Sequence, residues 1–512
     1  MVVLSRNKFH HIIYLCSLAT IAVALPLSLF VMTVGIIALA VNAILEWNWK
    51  QKWNLLKNNK LVLLLISFPI LYALGFLNTD LWGNGISSYL MKFPLLIIPL
   101  VVSTTAPISK SEIKFILLCY IGSLLFTTIY STIYLVVTPI QDIREISIFI
   151  SHIRFSLNIV FGIVILLFLL WNNEWKTPKL IPIYFILLCW FVFYLFISQT
   201  LTGIGILFFL TIFLMFYTLF FKHKTKETKI LSYLFLLCIT IFIIYISGIT
   251  YQYFHDKDEG NYTVTKTSLG NDYTFDYESI IENGHRIGVY VCEKELFEYW
   301  QKRSHVPYEN IKDGLIRYLN SKGEKKDAQG IMSLTDTDIQ NIELGFANVN
   351  YTKGIGLKRS LYPTFFSFTL YYKYGNIHQS SLLERFELWR TSFTIIQKNW
   401  LTGVGIGDHK KTLDQQLALQ KSEITKKEKG CHNQYITLWL SGGLLVLIPF
   451  ILMLIAPFVF HKRINILYIL FFLIITISML TEDTLDSHAG VTFFAFFNSF
   501  LLLIMYPSKQ NK

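Results

Sequence analysis

The sequence predicts an all-α polytopic membrane protein with about twelve transmembrane helices and one large, mostly helical soluble loop. Three observations predict it. Hydrophobic residues fill 53% of the 512 positions and charged residues only 15%, a balance foreign to soluble domains. The apolar residues run in blocks such as 61–77, 113–136, 201–221 and 230–246. Each holds about 17 residues or more with almost no charge, enough to cross roughly 30 Å of hydrocarbon as helix and too many for a core strand. Finally, lysine and arginine gather in alternate short connections, the bias that marks the cytoplasmic side of a membrane.

Taken in order, spans are expected at 12–25, 27–45, 61–77, 87–102, 113–136, 147–170, 180–198, 201–221, 230–249, 433–460, 464–480 and 489–507. The block at 12–45 would suit one tilted helix, but Pro26 in its middle favours a hairpin of two. With that hairpin, every basic connection falls on one side: Arg6 and Lys8; Lys50, Lys52, Lys57 and Lys60; Lys110 and Lys114; Lys176 and Lys179; Lys222, Lys224, Lys226 and Lys229; Lys462 and Arg463; Lys509 and Lys512. The intervening links, 78–86, 137–146, the one near Leu201 and 481–488, hold Arg144 alone. Both termini are therefore expected in the cytoplasm, and 250–432 outside it. The net charge of +12 is then largely a topology signal and calls for no nucleic-acid partner. The basic start and first apolar run read as an uncleaved anchor, because further spans follow.

The organisation expected is 1–249 as an N-terminal membrane domain of about nine helices, 250–432 as an inserted soluble domain, and 433–512 as a C-terminal membrane domain of about three. Four of the six cysteines lie in apolar spans as small core side chains, while Cys292 and Cys431 fall in the inserted domain, where a disulfide is open to them. That domain starts polar and turn-rich at 256–271 and continues with helical patterns at 289–301, 308–320 and 336–347. In the helix expected at 380–399, Leu382, Phe386, Trp389, Phe393 and Ile396 recur at helical spacing as one apolar stripe. At roughly 100° per residue, Arg385 and Arg390 border that stripe on opposite sides, while Glu384, Glu387, Thr391 and Lys398 take the far face. Arginines so placed suit snorkelling or structural ion pairs as well as ligand binding. Gly403, Gly405 and Gly407 follow, and away from ATP they read as a flexible turn rather than a nucleotide loop.

Ionisable residues within spans are costly and are candidates for function. Here they share the outer leaflet: Lys92, His152 and Arg154 enter their spans from outside, His432 stands at an outer helix mouth, and Glu482, Asp483, Asp486 and His488 link the last two spans. No Asp or Glu lies near the middle of a span, which disfavours an ion-coupled transporter, and the one-sided charge disfavours a transporter or flippase of lipid-linked sugar, which would line a path through both leaflets with polar residues. Lys, Arg and His at headgroup level suit a lipid-linked phosphate or pyrophosphate, since guanidinium pairs bidentately with phosphate oxygens. His432 precedes Asn433, a plausible helix cap, and the positive helix end favours the neutral imidazole that a general base requires. Taken alone, a histidine there is more often a surface hydrogen-bonder. The acidic link can hold a hard cation, but hydrogen bonding to sugar or to the arginines is the favoured reading.

The run Arg385-Phe-Glu-Leu-Trp389-Arg390, then Asn399-Trp-Leu-Thr-Gly403-Val-Gly405-Ile-Gly407, His432-Asn433-Gln-Tyr435 and Gly442-Gly443-Leu444 resembles the signature segment of the O-antigen ligase and O-antigen polymerase superfamily. Thr481-Glu-Asp-Thr-Leu-Asp486 with the 490–497 run also looks like its Bacteroidetes-type members. The resemblance implies a GT-C-like architecture in the bacterial inner membrane with a periplasmic loop. It implies a metal-independent, inverting transfer of a glycan from undecaprenyl pyrophosphate to an acceptor hydroxyl, with no cofactor. The first expectation is an O-antigen ligase acting on a lipid A-core hydroxyl; a repeat-unit polymerase and a protein O-glycosyltransferase share the chemistry. By the same resemblance His432 would activate the acceptor hydroxyl, and Arg385, Arg390 and Arg154 would hold the pyrophosphate. Lys92, His152, Asn433, Glu482 and Asp483 complete the expected substrate-binding set. Many members carry a basic residue after the seventh span, where 198–202 here reads Ser-Gln-Thr-Leu-Thr, and Lys92 is the candidate to compensate.

Overall fold

In a computed structural model, the described residues are 8–138, 140, 142–221, 226–255, 258, 262–352, 357–375, 381–422, 424, 430–461 and 464–506. Of the expected topology signals, Arg6, Lys222, Lys224, Lys462, Arg463, Lys509 and Lys512 lie outside them. Among the described residues, 8 helices are long and apolar enough to cross a membrane: Trp82–Thr104, Lys110–Val137, His152–Trp171, Pro178–Ser198, Leu201–Phe220, Ser232–Phe254, Gln434–Phe460 and His488–Met505. This is a mostly helical, multi-pass membrane protein.

Shorter apolar helices cover Lys8–Ala24, Lys60–Phe76 and Ile466–Thr481, and Leu29–Leu45 turns through 111° into Trp49–Lys57. The chain does break around Pro26: one helix ends at Ala24, and the next begins at Leu29 behind Ser28, whose side chain accepts from the Val31 N–H. Lys110–Val137 opens on a capping box between Ser109 and Glu112.

Contacts divide the chain into two compact units, Met1–Leu210 with Glu384–Lys512, and Thr211–Leu383. The first is centred on its most buried spans, His152–Trp171 and His488–Met505. Phe161 meets Phe497 at 4.5 Å and Phe471 at 5.1 Å between ring centroids, and Tyr120 meets Phe497 at 4.9 Å. These edge-to-face and tilted pairs tie four helices together.

Within the same unit, Gln434–Phe460 is broken at Gly443, whose φ of 61° and ψ of −160° belong to a region only glycine occupies comfortably. The glycine run at 403–407 docks into that break: Val404 N–H donates to the Leu440 carbonyl at 2.9 Å, Gly405 N–H to Ser441 at 2.8 Å, and Leu444 N–H to Trp400 at 3.0 Å. The run is therefore a fixed backbone joint and not the flexible turn expected, because the carbonyls freed by the helix break need donors. A Cβ on Gly403 would lie 2.6 Å from the Gly442 and Gly443 nitrogens.

The second unit packs Trp300, Leu315, Tyr318, Leu319 and Ile331 into a core of its own. Its helices Glu293–Arg303, Tyr308–Ser321 and Asp336–Glu343 follow the sequence pattern, but Val289–Val291 is a strand paired with Thr274–Phe275 rather than the start of a helix. Two β-branched residues flanking Tyr290 suit the pleat, and the helix begins only after Cys292. A buried carboxylate, Glu282, is held by Arg317 through both oxygens at 2.9 and 3.0 Å and by Asn348. Cys292 in this unit and Cys431 in the other are each a free, buried thiol.

Candidate functional site

Every residue of the candidate site belongs to the first unit. Its centre is Glu482, which ends the Ile466–Thr481 helix and is only 3% exposed. Its Oε1 accepts from Arg385 Nη2 at 2.6 Å and its Oε2 from Arg154 Nη1 at 3.3 Å, while His432 Nδ1 stands 3.6 Å from Oε2. Arg154 also donates from Nη2 to the Asp483 carbonyl at 3.0 Å. Burial alone would raise the Glu482 pKa, but the facing His432 ring and the two guanidiniums outweigh it and hold the carboxyl below its usual range. Two guanidiniums thus share one carboxylate. The Nε atoms of both arginines are buried without a hydrogen-bond partner among the described residues, so each keeps a donor uncommitted.

Asp483 fixes the backbone at the base. Its carboxylate accepts the His432 N–H at 3.0 Å, the Asn433 N–H at 3.1 Å and the Thr437 hydroxyl at 2.6 Å. Convergence of two successive N–H groups on one carboxylate accounts for the left-handed backbone of His432, φ 51°. Gly430 is small for the same reason, since a Cβ there would lie 2.4 Å from Asp483 Oδ2. Asn433 caps the following helix as its sequence position predicts, accepting from Tyr435 and Ile436 N–H groups, and its amide donates to the Leu480 carbonyl. Burial pushes the Asp483 carboxyl up, with the charge of Asp486 adding to it. Asp486 is instead held low, because Lys92 more than offsets its burial.

The Ser381–Ile396 helix is turned away from the orientation its apolar stripe predicts. Phe386 and Phe393 are exposed, whereas Leu388, Thr391, Ser392, Ile395 and Ile396 are buried. Apolar periodicity does not by itself say which face packs inward, and here the polar Thr391 is buried with its hydroxyl donating to Gln420 Oε1 at 2.8 Å. This rotation puts Arg385 beside Glu482 and leaves Arg390 exposed on the other side, so the two arginines do not act on one spot. Trp389, which the sequence places in the apolar stripe and the motif run without a role at the site, donates its indole N–H to the Cys431 carbonyl at 2.8 Å, steadying the peptide before His432. The Cys431 thiol, 3.2 Å from Ser392 Oγ, is pushed up to about 12 by burial and is no nucleophile.

Lys92 is 1% exposed and donates to the Leu485 carbonyl at 2.5 Å and to the Asp486 carboxylate. It anchors the acidic link on which Glu482 and Asp483 sit. His152 bridges Ser147 Oγ at 3.0 Å and Thr200 Oγ1 at 2.9 Å, and His488 contacts Thr33 Oγ1 at 3.3 Å; neither joins the Glu482 cluster by a hydrogen bond. His409, a buried imidazole overlooked in the sequence, donates from Nδ1 to the Ile406 carbonyl, 3.2 Å away; burial lowers its pKa, a shift that the charge of Asp486 opposes. Among the described residues, no group of three or more His, Cys, Asp or Glu is arranged to hold a metal ion.

The glycine joint gives a direct test of this framework. Gly443→Ala would force alanine into a glycine-only conformation against the Leu401 carbonyl, 2.2 Å from the new Cβ. A loss of about 3 kcal/mol or more is expected. Thermal unfolding in detergent measures it, and a melting temperature equal to wild type would contradict the described joint.

Residues 344–451 match the family model described as O-antigen ligase. The matched segment contains Arg385, Trp389, the glycine run, His432, Asn433 and Gly443, and it stops short of Arg154 and Glu482. The resemblance of the motif run to that superfamily is thereby shown over this part of the chain. Proteins of this family are glycosyltransferase-like enzymes that use lipid-linked glycans and acceptors. No curated protein matches the chain.

Proposed function

We propose that this chain, carrying an O-antigen ligase segment at 344–451, transfers a glycan from undecaprenyl pyrophosphate to a lipid A-core hydroxyl at the periplasmic face of the inner membrane. The observation that carries the reading is the meeting of Arg154, Arg385 and His432, drawn from three distant parts of the sequence, at the single carboxylate of Glu482. An imidazole and two guanidiniums at one point supply what glycan transfer from a pyrophosphate needs.

In this reading the acceptor oxygen attacks the anomeric carbon while His432 Nε2 takes its proton. The bond from that carbon to the pyrophosphate oxygen breaks in the same displacement, so the configuration inverts. Negative charge grows on the departing undecaprenyl pyrophosphate, and the guanidiniums of Arg154 and Arg385 stabilise it. Fixed donors of this kind cost no reorganisation as the bond breaks. Lys92, Asp483 and Asn433 hold the framework, and Arg390 and His152 are assigned to outer parts of the substrates.

The membrane arrangement goes with it. The eight long helices, Leu29–Leu45 and the three shorter apolar helices together make about twelve spans in a GT-C-like arrangement. Basic links then face the cytoplasm with both termini, and the Glu482 cluster faces the periplasm with 250–432. The surface glycan profile of a strain lacking the protein tests the assignment. Loss of all attached chains is the expected result; single capped repeats would make the protein a repeat-unit polymerase, and an unchanged profile would overturn the transferase reading.

A further inference from the structure

We infer that Glu482 is a positioning residue that couples the pyrophosphate-binding guanidiniums to the base, an inference that rests on the transferase reading above. The carboxylate does not contact substrate in this role. Its two oxygens have different duties: Oε1 is committed to Arg385 at 2.6 Å, whereas Oε2 lies between Arg154 Nη1 at 3.3 Å and His432 Nδ1 at 3.6 Å. A carboxylate facing Nδ1 favours the tautomer with its proton there, which leaves the Nε2 lone pair for the acceptor hydroxyl. Among the described residues, Glu482 is the one carboxylate within 4 Å of a ring nitrogen of His432.

The distances add a direction to the coupling. At 3.6 Å the contact with His432 is slightly too long for a hydrogen bond, and at 3.3 Å the one with Arg154 is long for a charge-assisted one. Oε2 is therefore balanced between two donors. A pyrophosphate oxygen that draws the Arg154 guanidinium toward itself relaxes that hold, and a shift of a few tenths of an ångström completes the bond to His432 Nδ1. Donor binding and orientation of the base are linked through one oxygen. The scaffold allows this because Glu482 is tethered by Ser478, and its neighbour Asp483 by the His432 and Asn433 N–H groups, so the carboxylate swings while the backbone stays.

Kinetics separate this role from a plain structural tie. Glu482→Gln keeps the shape and removes a negative charge beside two guanidiniums, so donor binding should hold or tighten while orientation of the base is lost. In proteoliposomes with a polyprenyl-pyrophosphate glycan, kcat is expected to fall about 100-fold with donor KM unchanged or lower. Undecaprenyl pyrophosphate should bind the variant at least as tightly as wild type. A kcat within threefold of wild type overturns the inference, and so does a tenfold rise in donor KM at unchanged kcat. If the glutamine variant does not accumulate, Glu482→Asp keeps the charge and draws it back by one methylene. It should show the same split with about a tenfold loss of kcat, and wild-type kinetics in that variant overturn the inference equally. A wild-type protein that turns over no such donor in this assay sinks the transferase reading itself, a failure distinct from an active wild type with an equally active Glu482→Gln.

Discussion

Replacing His432 with alanine is expected to lower the rate of glycan transfer by about 10²- to 10⁴-fold, or roughly 3–5 kcal/mol in the barrier, while the protein still folds and inserts. The backbone contacts explain why folding survives. Asp483 accepts the main-chain N–H of residue 432, which alanine retains, and the His432 side chain is 35% exposed and fills no core. The left-handed φ of 51° already strains the histidine, so alanine adds little to that cost. Purified variant and wild type compared on the same donor and acceptor decide the matter. Undiminished transfer by the variant would remove the base from the mechanism.

Arg385→Ala is expected to act on the other substrate. The donor KM should rise by about ten- to a hundredfold and kcat should fall as well, because the same guanidinium binds the pyrophosphate in the ground state and meets its growing charge. The 2.6 Å bond to Glu482 is lost in addition, leaving that nearly buried carboxylate with one guanidinium fewer. Breaking a pair of this kind costs about 3–5 kcal/mol, so a lower melting temperature should accompany the kinetic defect. Arg385→Lys restores the charge without the planar fork and should recover stability better than donor affinity. Titration with undecaprenyl pyrophosphate is the decisive measurement, and equal affinity in wild type and Arg385→Ala would sink the donor-site assignment. The contrast with Glu482→Gln is sharp: one variant weakens donor binding, and the other spares it.

Where sequence reasoning succeeded and where it failed has a common physical origin. Asn433 reads as a cap, and the structure makes it one, because capping depends on residues only two and three positions away. The break at Pro26 is equally local. The Ser381–Ile396 helix was legible as a helix, but the apolar stripe named the wrong inner face, and with it the equal standing of Arg385 and Arg390. Phe386 and Phe393 stay exposed beside Trp389 and Trp439 while Thr391 and Ser392 are buried, so hydrophobicity along this helix does not by itself mark the core. Likewise Gly403, Gly405 and Gly407 could be seen as special, yet their task, meeting the Gly442–Gly443 break, is set by a segment some forty residues further on.

By itself, then, the sequence determined a multi-pass helical membrane protein, the helix ends that carry local caps, the gathering of Lys92, Arg154, His432 and Glu482 at one end of their helices, and the motif run that points to a glycan-transferring family. These depend on composition, on charge and on neighbours within a few positions. Only the tertiary structure decided that Glu482 joins Arg154 to Arg385 beside His432, that Lys92 anchors the acidic link, and that Arg390 faces away. Each of those is a matter of how one helix is rotated against another, and rotation is set by packing between distant segments rather than by the periodicity of any one of them.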